Sequence, residues 1–368
     1  RSRGGLRDLN LLRWLGFVER GVSDPDRLQL LGAISKFDHR RLINTRQFLL
    51  RLRNELHFSA GNCHDLLNRA NQLEIAEKFG YRGDKAMLPV ERFMRDYFRH
   101  TNHLWQLVRR RDASLQVASR VSRVLDPVLS KTVEGDYRIG LQNISATKSG
   151  LAKIKQDLGE VLRLVELSLQ QNKNIDHATW SALLLGAPHF PDVVEGAVQE
   201  QFWNLLGQFE YVGEALRVLH ELGYLEKLVP PMRHARCLLQ FNQYHKFTVD
   251  EHCIRSVQQA TSFAQRNDVL GEAYREIPDK RILHLELLLH DLGKGFEEDH
   301  SEVGKRLAEE TTSLLKLDER SAADVAFLVW TFVIWTLNFV VAYVVLRRAF
   351  RLGAAGAGQV AVDALGLR

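Results

Sequence analysis

The feature that most constrains the fold is the helical spacing of apolar residues over most of the chain. One run at this spacing is Phe48, Leu49, Leu52 and Leu56. Residues three and four positions apart lie on one face of an α-helix, and an apolar face packs against a partner helix. Similar runs recur along the chain, and little of it alternates as a strand would. The sequence therefore predicts an all-α protein built from helical bundle domains.

One segment departs from this pattern. Residues 131–147 mix β-branched and aromatic residues with Gly135 and Asp136. Glycine and aspartate favour tight turns, and β-branched and aromatic residues favour strands. The segment therefore predicts one minor β-hairpin inserted in the helical fold.

Charge and cysteine content argue against two classes of protein. Lys and Arg number 50 against 45 Asp and Glu, a formal net charge of +5. The clusters 109–111 and 40–41 are short, so we interpret them as solvated helix faces and expect no nucleic-acid partner. Cys63, Cys237 and Cys253 are widely separated, without C-x-x-C spacing. We interpret them as reduced thiols, which favours a cytoplasmic protein over a disulfide-framed one.

The sharpest chemical signal is the pair His290–Asp291 in the segment LELLLHDLGKG. The preceding residues 282–289 are nearly all apolar, which predicts a buried helix. A carboxylate beside an imidazole is costly to bury unless each group is paired or binds a cation. A divalent metal ion would satisfy both side chains at once, so the pair indicates a metal site.

Further candidate groups lie on both sides of this pair. His252 is predicted at the start of a helix 38 residues earlier, and His300 follows Asp299, a predicted helix cap, further along. Nitrogen and oxygen donors without thiolate suit an open catalytic site. Mg or Mn is favoured as the ion, with Fe or Zn as alternatives. Lys294 lies between two glycines, which leaves it free to reach an anionic oxygen.

Two other histidines are interpreted as structural. His284 lies in the same apolar run, and we expect it to be a satisfied core residue or an exposed one. The pair His64–Asp65 has no apolar helix before it and no partner histidine at a suitable spacing. Neither is expected to bind the ion.

At these residues the chain resembles the HD superfamily of metal-dependent phosphohydrolases. More narrowly, it resembles the bifunctional protein-PII uridylyltransferase/uridylyl-removing enzymes. The strings that carry this resemblance in the second half are LHELGYLEKLVPP, LLQFNQYHKFTVDEH, LLLHDLGKG and DHSEVGKRLAEE. Those in the first half are GGLRDL, RLRNELHF, ANQLEIAEKFGYRG and VERFMRDYFRH. The resemblance covers roughly residues 1–329.

The resemblance implies a role for each matching residue. His252, His290 and Asp291 would be metal ligands, and Lys294 would contact the substrate phosphate. His300 would be a further ligand or another phosphate contact. The activity implied is hydrolysis of the uridylyl group from a tyrosine of the PII signalling protein, with release of UMP. Two alternatives stay open: an HD phosphohydrolase of small nucleotides, and a metal-free helical scaffold module.

The chain also departs from the family pattern. We expect it to be a fragment that lacks the nucleotidyltransferase core, so uridylyl transfer is not expected from it. We also find no distal Asp that would complete the metal site, and no glutamine-sensing ACT domains, so hydrolysis is expected to be impaired. We expect four regions along the chain. They are residues 1–115, a helical region; 116–225, a helical linker and the start of the HD domain, with the hairpin; 226–330, the metal-site core of the HD domain; and 331–368, an atypical apolar tail that a frameshift would explain.

The tail admits three interpretations. Residues 325–346 are 22 consecutive positions without a charged side chain, and Arg347 and Arg348 follow them. A bilayer requires about 20 apolar residues, so this run is long enough to span one. A frameshift is the favoured interpretation because the family resemblance stops abruptly. A membrane helix and a buried core helix are the alternatives.

Overall fold

The computed structural model describes residues 3–116, 130–191, 196–241 and 247–332. Its described residues are mostly α-helical with a small sheet, so the all-α prediction is confirmed. The chain divides into two compact units. The first comprises residues 1–190, 221–223 and 236–248, and the second comprises 191–220, 224–235 and 249–368. The four regions expected from the sequence stay a prediction.

The first unit begins with a group of helices. They are α1 (Leu6–Arg20), α2 (Pro25–Leu30), α3 (Lys36–Ala60), α4 (Arg69–Lys78) and α5 (Pro89–Gln116). Helix α5 packs against α1, α3 and α4. Three of the four residues in the α3 stripe, Leu49, Leu52 and Leu56, are buried, and Phe48 packs partly buried against them. The helical spacing therefore correctly predicted which face of α3 forms the core.

A small four-stranded sheet follows in the same unit. Its strands are β1 (Lys131–Val133), β2 (Tyr137–Ile139), β3 (Asn143–Ala146) and β4 (Asn174–Ile175), in that spatial order. Strands β1 and β2 form the predicted hairpin, with Val133 opposite Tyr137. Strand β3 joins β2 in antiparallel pairing, and β4 adds in parallel beside β3. The sequence did not predict β4, because two residues contain no detectable period.

Three helices lie next to these strands in sequence, two between β3 and β4 and one after β4. They are α6 (Lys148–Lys153), α7 (Leu158–Gln170) and α8 (His177–Gly186), and a short 3₁₀ helix (Ala187–His189) follows. Helix α7 separates β3 from β4 in sequence, and a parallel neighbour needs such a crossover. The small sheet is therefore a β-insert closed by a helical connection.

The second unit carries the predicted chemistry. Its elements are α9 (Ala197–Leu206), α10 (Val212–Leu222), α11 (Leu225–Leu228), α12 (Met232–Ala235), α13 (Val249–Ser262), a 3₁₀ helix (Phe263–Gln265), α14 (Val269–Glu276), α15 (Lys280–Leu289), α16 (His300–Leu314) and α17 (Glu319–Phe332). Helix α15 packs against α9, α13, α16 and α17. Every residue from Leu283 to Leu289 is buried, so the predicted buried helix is confirmed.

The basic cluster 109–111 is more than a solvated face. Arg111 is only 6% exposed and forms an ion pair with Glu19. The two helices that carry these residues, α5 and α1, pack together, which covers this arginine. The interpretation as a solvated face is therefore wrong for Arg111.

The tail prediction falls almost entirely outside the described residues. Helix α17 contains the first part of the uncharged run, and Val325 and Val329 on it are fully buried. Residues 333–368 are not described, so the choice between a frameshift, a membrane helix and a core helix stays a prediction. Across the part of the chain that the structure describes, no helix combines the length and apolarity needed to cross a bilayer.

Candidate metal centre

Two packed helices of the second unit supply the predicted ligands. His252 lies in the first turn of α13, and His290 directly follows the last residue of α15. The backbone N–H of His290 donates to the carbonyl of Glu286 at 2.8 Å, which continues the helical geometry to the end of the run. Because α13 and α15 pack side by side, residues 38 positions apart in sequence meet in space.

The predicted donor atoms do converge. The Nε2 atoms of His252 and His290 lie 3.2 Å apart. The Oδ2 atom of Asp291 lies 3.5 Å from Nε2 of His252 and 3.6 Å from Nε2 of His290. Among the described residues, these three form the group of imidazole, thiol and carboxylate side chains close enough to share one ion.

This triangle fits a divalent ion. Nitrogen and oxygen ligands bind such ions at about 2.0–2.2 Å, and neighbouring ligands in octahedral or tetrahedral geometry are then about 2.8–3.6 Å apart. The separations of 3.2, 3.5 and 3.6 Å fall within this range. The distances agree with several ions and do not select one.

The second nitrogen of His290 is already engaged. Its Nδ1–H donates to the backbone carbonyl of Leu287 at 2.7 Å. This hydrogen bond places the ring's proton on Nδ1 and leaves the Nε2 lone pair directed at His252 and Asp291. Such a contact behind a ligand imidazole is usual in metal sites, where it sets the tautomer and the ring orientation.

The electrostatics favour the protonation states that ligands need. Burial lowers the pKa of both His252 and His290, because the charged imidazolium is poorly solvated there. Burial acts to raise the pKa of Asp291, but His290, Lys294 and His252 outweigh it, so the pKa of this carboxyl is lowered. The site therefore tends toward two neutral imidazoles and one carboxylate.

Lys294 and His300 occupy different positions relative to this triangle. The Nζ atom of Lys294 donates to Oδ2 of Asp291 at 2.7 Å, so its charge lies beside the ligands. His300 is the exposed first residue of α16 and is not part of the convergent group. Asp299 caps that helix, accepting from the N–H of Ser301 at 2.9 Å. The substrate contacts expected of Lys294 and His300 stay predictions.

A tight backbone turn joins α15 to α16. A Cβ atom at Gly293 would overlap the carbonyl oxygen of His300 and crowd the amide of Gly304. Gly295 has φ of +82°, a region that L-residues with a side chain rarely adopt. The two glycines on either side of Lys294 are therefore required by the turn itself.

Sequence reasoning missed a polar cluster close to the ligands. His220 of α10 has its Nε2 atom 3.0 Å from Asp250 and its Nδ1 atom 3.2 Å from Glu226. Asp250 and Glu226 are 2% and 5% exposed, and Asp250 lies two residues before His252. The cluster therefore anchors the start of α13. The sequence signal that could have indicated this cluster is Asp250, an acidic residue two positions before the candidate ligand His252.

His284 and Asp65, which the sequence analysis set aside, have structural partners. His284 is fully buried, with Nδ1 donating to the carbonyl of Leu206 at 2.6 Å and Tyr274 Oη within 2.9 Å of Nε2. Its burial lowers the pKa of His284 to about 4. Asp65 pairs with Arg53 at 2.9 Å and with His57 at 2.8 Å. The structural interpretation of His284 is confirmed, and that of the 64–65 pair stays a prediction.

Comparison with known proteins confirms the resemblance seen in the sequence. A family model described as GlnD PII-uridylyltransferase matches residues 1–110. A bifunctional uridylyltransferase/uridylyl-removing enzyme from Cereibacter sphaeroides is 30% identical over 341 residues, covering 89% of this chain and 36% of that protein. Proteins of the same description are 30% identical in Methylococcus capsulatus and 28% identical in Ruegeria pomeroyi, each covering 89% of this chain. The chain spans just over a third of the length of these relatives.

Proposed function

We propose, from the premise that this chain is a relative of the bifunctional uridylyltransferase/uridylyl-removing enzymes, that its second unit hydrolyses a phosphodiester. The substrate would be the PII signalling protein carrying a uridylyl group on a tyrosine, and the product UMP. The observation that carries the proposal is the convergence of His252, His290 and Asp291 within ligand distance of one another. Three donors of this type would hold a Mg or Mn ion, or alternatively Fe or Zn.

The reaction replaces one phosphorus–oxygen bond with another. Water adds its oxygen to the uridylyl phosphorus, the bond to the tyrosine oxygen breaks, and the phenol takes up a proton as it leaves. When bound, the ion lowers the pKa of a water molecule and shields the negative charge of the phosphodiester. The chain's own residues supply the remaining contributions.

Those contributions follow from the contacts at the site. The carbonyl of Leu287 holds the His290 ring in the orientation that directs Nε2 at the shared centre. Lys294 places a positive charge 2.7 Å from the Asp291 carboxylate, where it adds to the field that attracts an anionic substrate. The side chain of His252 is 39% exposed, so the site is open to solvent on that side.

The decisive experiment measures UMP release from uridylylated PII protein and from a panel of free nucleotides, with Mg or Mn added. We expect release from the PII conjugate, abolished by a chelator and by His252→Ala. The matched control is His189→Ala, an exposed histidine of the first unit, which should behave like the parent. Turnover of free nucleotides alone would favour a small-nucleotide phosphohydrolase. If His252→Ala retained as much bound metal as the parent, the site would be a helical scaffold.

A further inference from the structure

An aromatic pair in the second unit includes a residue of the turn that follows the candidate metal ligands. The rings of His234, on α12, and Phe296, in the turn between α15 and α16, are stacked, with centroids 4.0 Å apart and planes 27° from parallel. Both residues are partly exposed. His234 thus covers one face of the Phe296 ring, and the partial exposure of both residues leaves part of the pair accessible to a ligand.

The turn places Phe296 close along the chain to Lys294, the proposed phosphate contact. The backbone N–H of Lys294 donates to the carbonyl of Asp291 at 3.1 Å, which closes the chain back onto the ligands. Phe296 follows two residues later, so its Cα atom lies at most about 7 Å from that of Lys294. The tight approach at Gly293 restrains the same turn against α16. The backbone of the turn that carries Phe296 is therefore restrained beside the candidate ligands.

We propose that Phe296, backed by His234, is a stacking platform for the nucleobase of the substrate. The inference rests on the proposed function, which supplies a nucleotide whose phosphate lies at the metal centre. A base is joined to its phosphate through one ribose, so a binding group for the base is expected a short distance from Lys294, and Phe296 lies two residues further along the same turn. An aromatic face binds any nucleobase, and His234 stacked behind it reduces the freedom that Phe296 would lose on binding.

The test compares two ligands that differ only in the base. The affinity of the full chain for UMP and for ribose 5-phosphate is measured by calorimetry with Mn²⁺ present. Stacking of one base predicts that the parent binds UMP roughly tenfold more tightly than ribose 5-phosphate. In Phe296→Ala this ratio should fall close to one while the affinity for ribose 5-phosphate is retained, and Phe296→Tyr should keep the ratio.

A matched control is Phe209→Ala, which removes another exposed phenylalanine of the second unit and should leave the ratio unchanged. If Phe296→Ala lost affinity for UMP and for ribose 5-phosphate equally, the aromatic pair would only support the turn. That result would overturn the proposed stacking platform. A parent that releases UMP from its substrate but binds both ligands equally would overturn the platform and leave the hydrolase intact. A parent that binds neither ligand and releases no UMP would refute both.

Discussion

Glu286 offers a direct test of how burial controls stability in this unit. It lies in α15, one helical turn before His290, and is fully buried. Neither of its carboxyl oxygens has a hydrogen-bond partner among the described residues. Burial raises the pKa of Glu286 well above its usual value, because a carboxylate without a partner is strongly disfavoured there.

The sign of the pH effect follows from this shift. The unfolded chain releases the Glu286 proton near pH 4.5, whereas the folded protein retains it to higher pH. Above pH 4.5 the unfolded state therefore binds fewer protons, and the free energy of unfolding falls as pH rises. The loss is about 1.4 kcal/mol for each pH unit, and it stops once the folded-state pKa is passed.

Two substitutions separate the causes. Glu286→Gln keeps the shape but cannot ionise, so this part of the pH dependence should disappear. Glu286→Leu also removes the two carboxyl oxygens. It should raise the free energy of unfolding at pH 7 by roughly 1–3 kcal/mol net, after the cost of the changed packing. The assay is urea unfolding followed by circular dichroism at pH 5, 6 and 7, with a chelator so that metal binding does not contribute.

The control is Glu272→Gln, an exposed glutamate on the neighbouring α14, which should retain the parental pH dependence. If the parent and Glu286→Gln lost stability equally between pH 5 and 7, Glu286 would not carry a raised pKa. Burial would then not control the ionisation of this carboxyl group.

Three further predictions concern the metal centre. Gly293→Ala should weaken Mn²⁺ binding by at least tenfold, because the added Cβ overlaps the backbone of α16 and displaces the turn; calorimetry measures this, and parental affinity would refute it. His220→Leu should lower the free energy of unfolding by about 3–5 kcal/mol by leaving Asp250 and Glu226 buried without their imidazole; an unchanged urea midpoint would contradict that. The pKa values of the two candidate ligand imidazoles lie below the usual 6.5, so each ring loses less of its neutral form on acidification than a free imidazole. Mn²⁺ affinity should therefore fall between pH 7.5 and 5.5 by less than the roughly hundredfold expected of two imidazoles with unshifted pKa values; a larger decrease would count against it.

Part of the candidate metal centre could be predicted from local sequence. The apolar run ending in His290–Asp291 indicated a buried helix, and burial of such a pair indicates a cation. The structure confirms the helix and brings His252 to the pair. The sequence could not predict that His300 is exposed at the start of α16, because the direction of that helix depends on packing beyond the turn.

The amino-acid sequence by itself determined the helices, the buried face of α3 and the types of donor atom available, because each depends on residues within one or two helical turns. Tertiary structure decided which donors meet, since His252 and His290 converge only when α13 packs on α15. It likewise decided the burial of Arg111 against Glu19 and the parallel pairing of β4 with β3. It also left the buried Glu286 carboxyl without a hydrogen-bond partner among the described residues. Each of these depends on segments far apart in the chain, whose mutual position no local pattern of residues encodes.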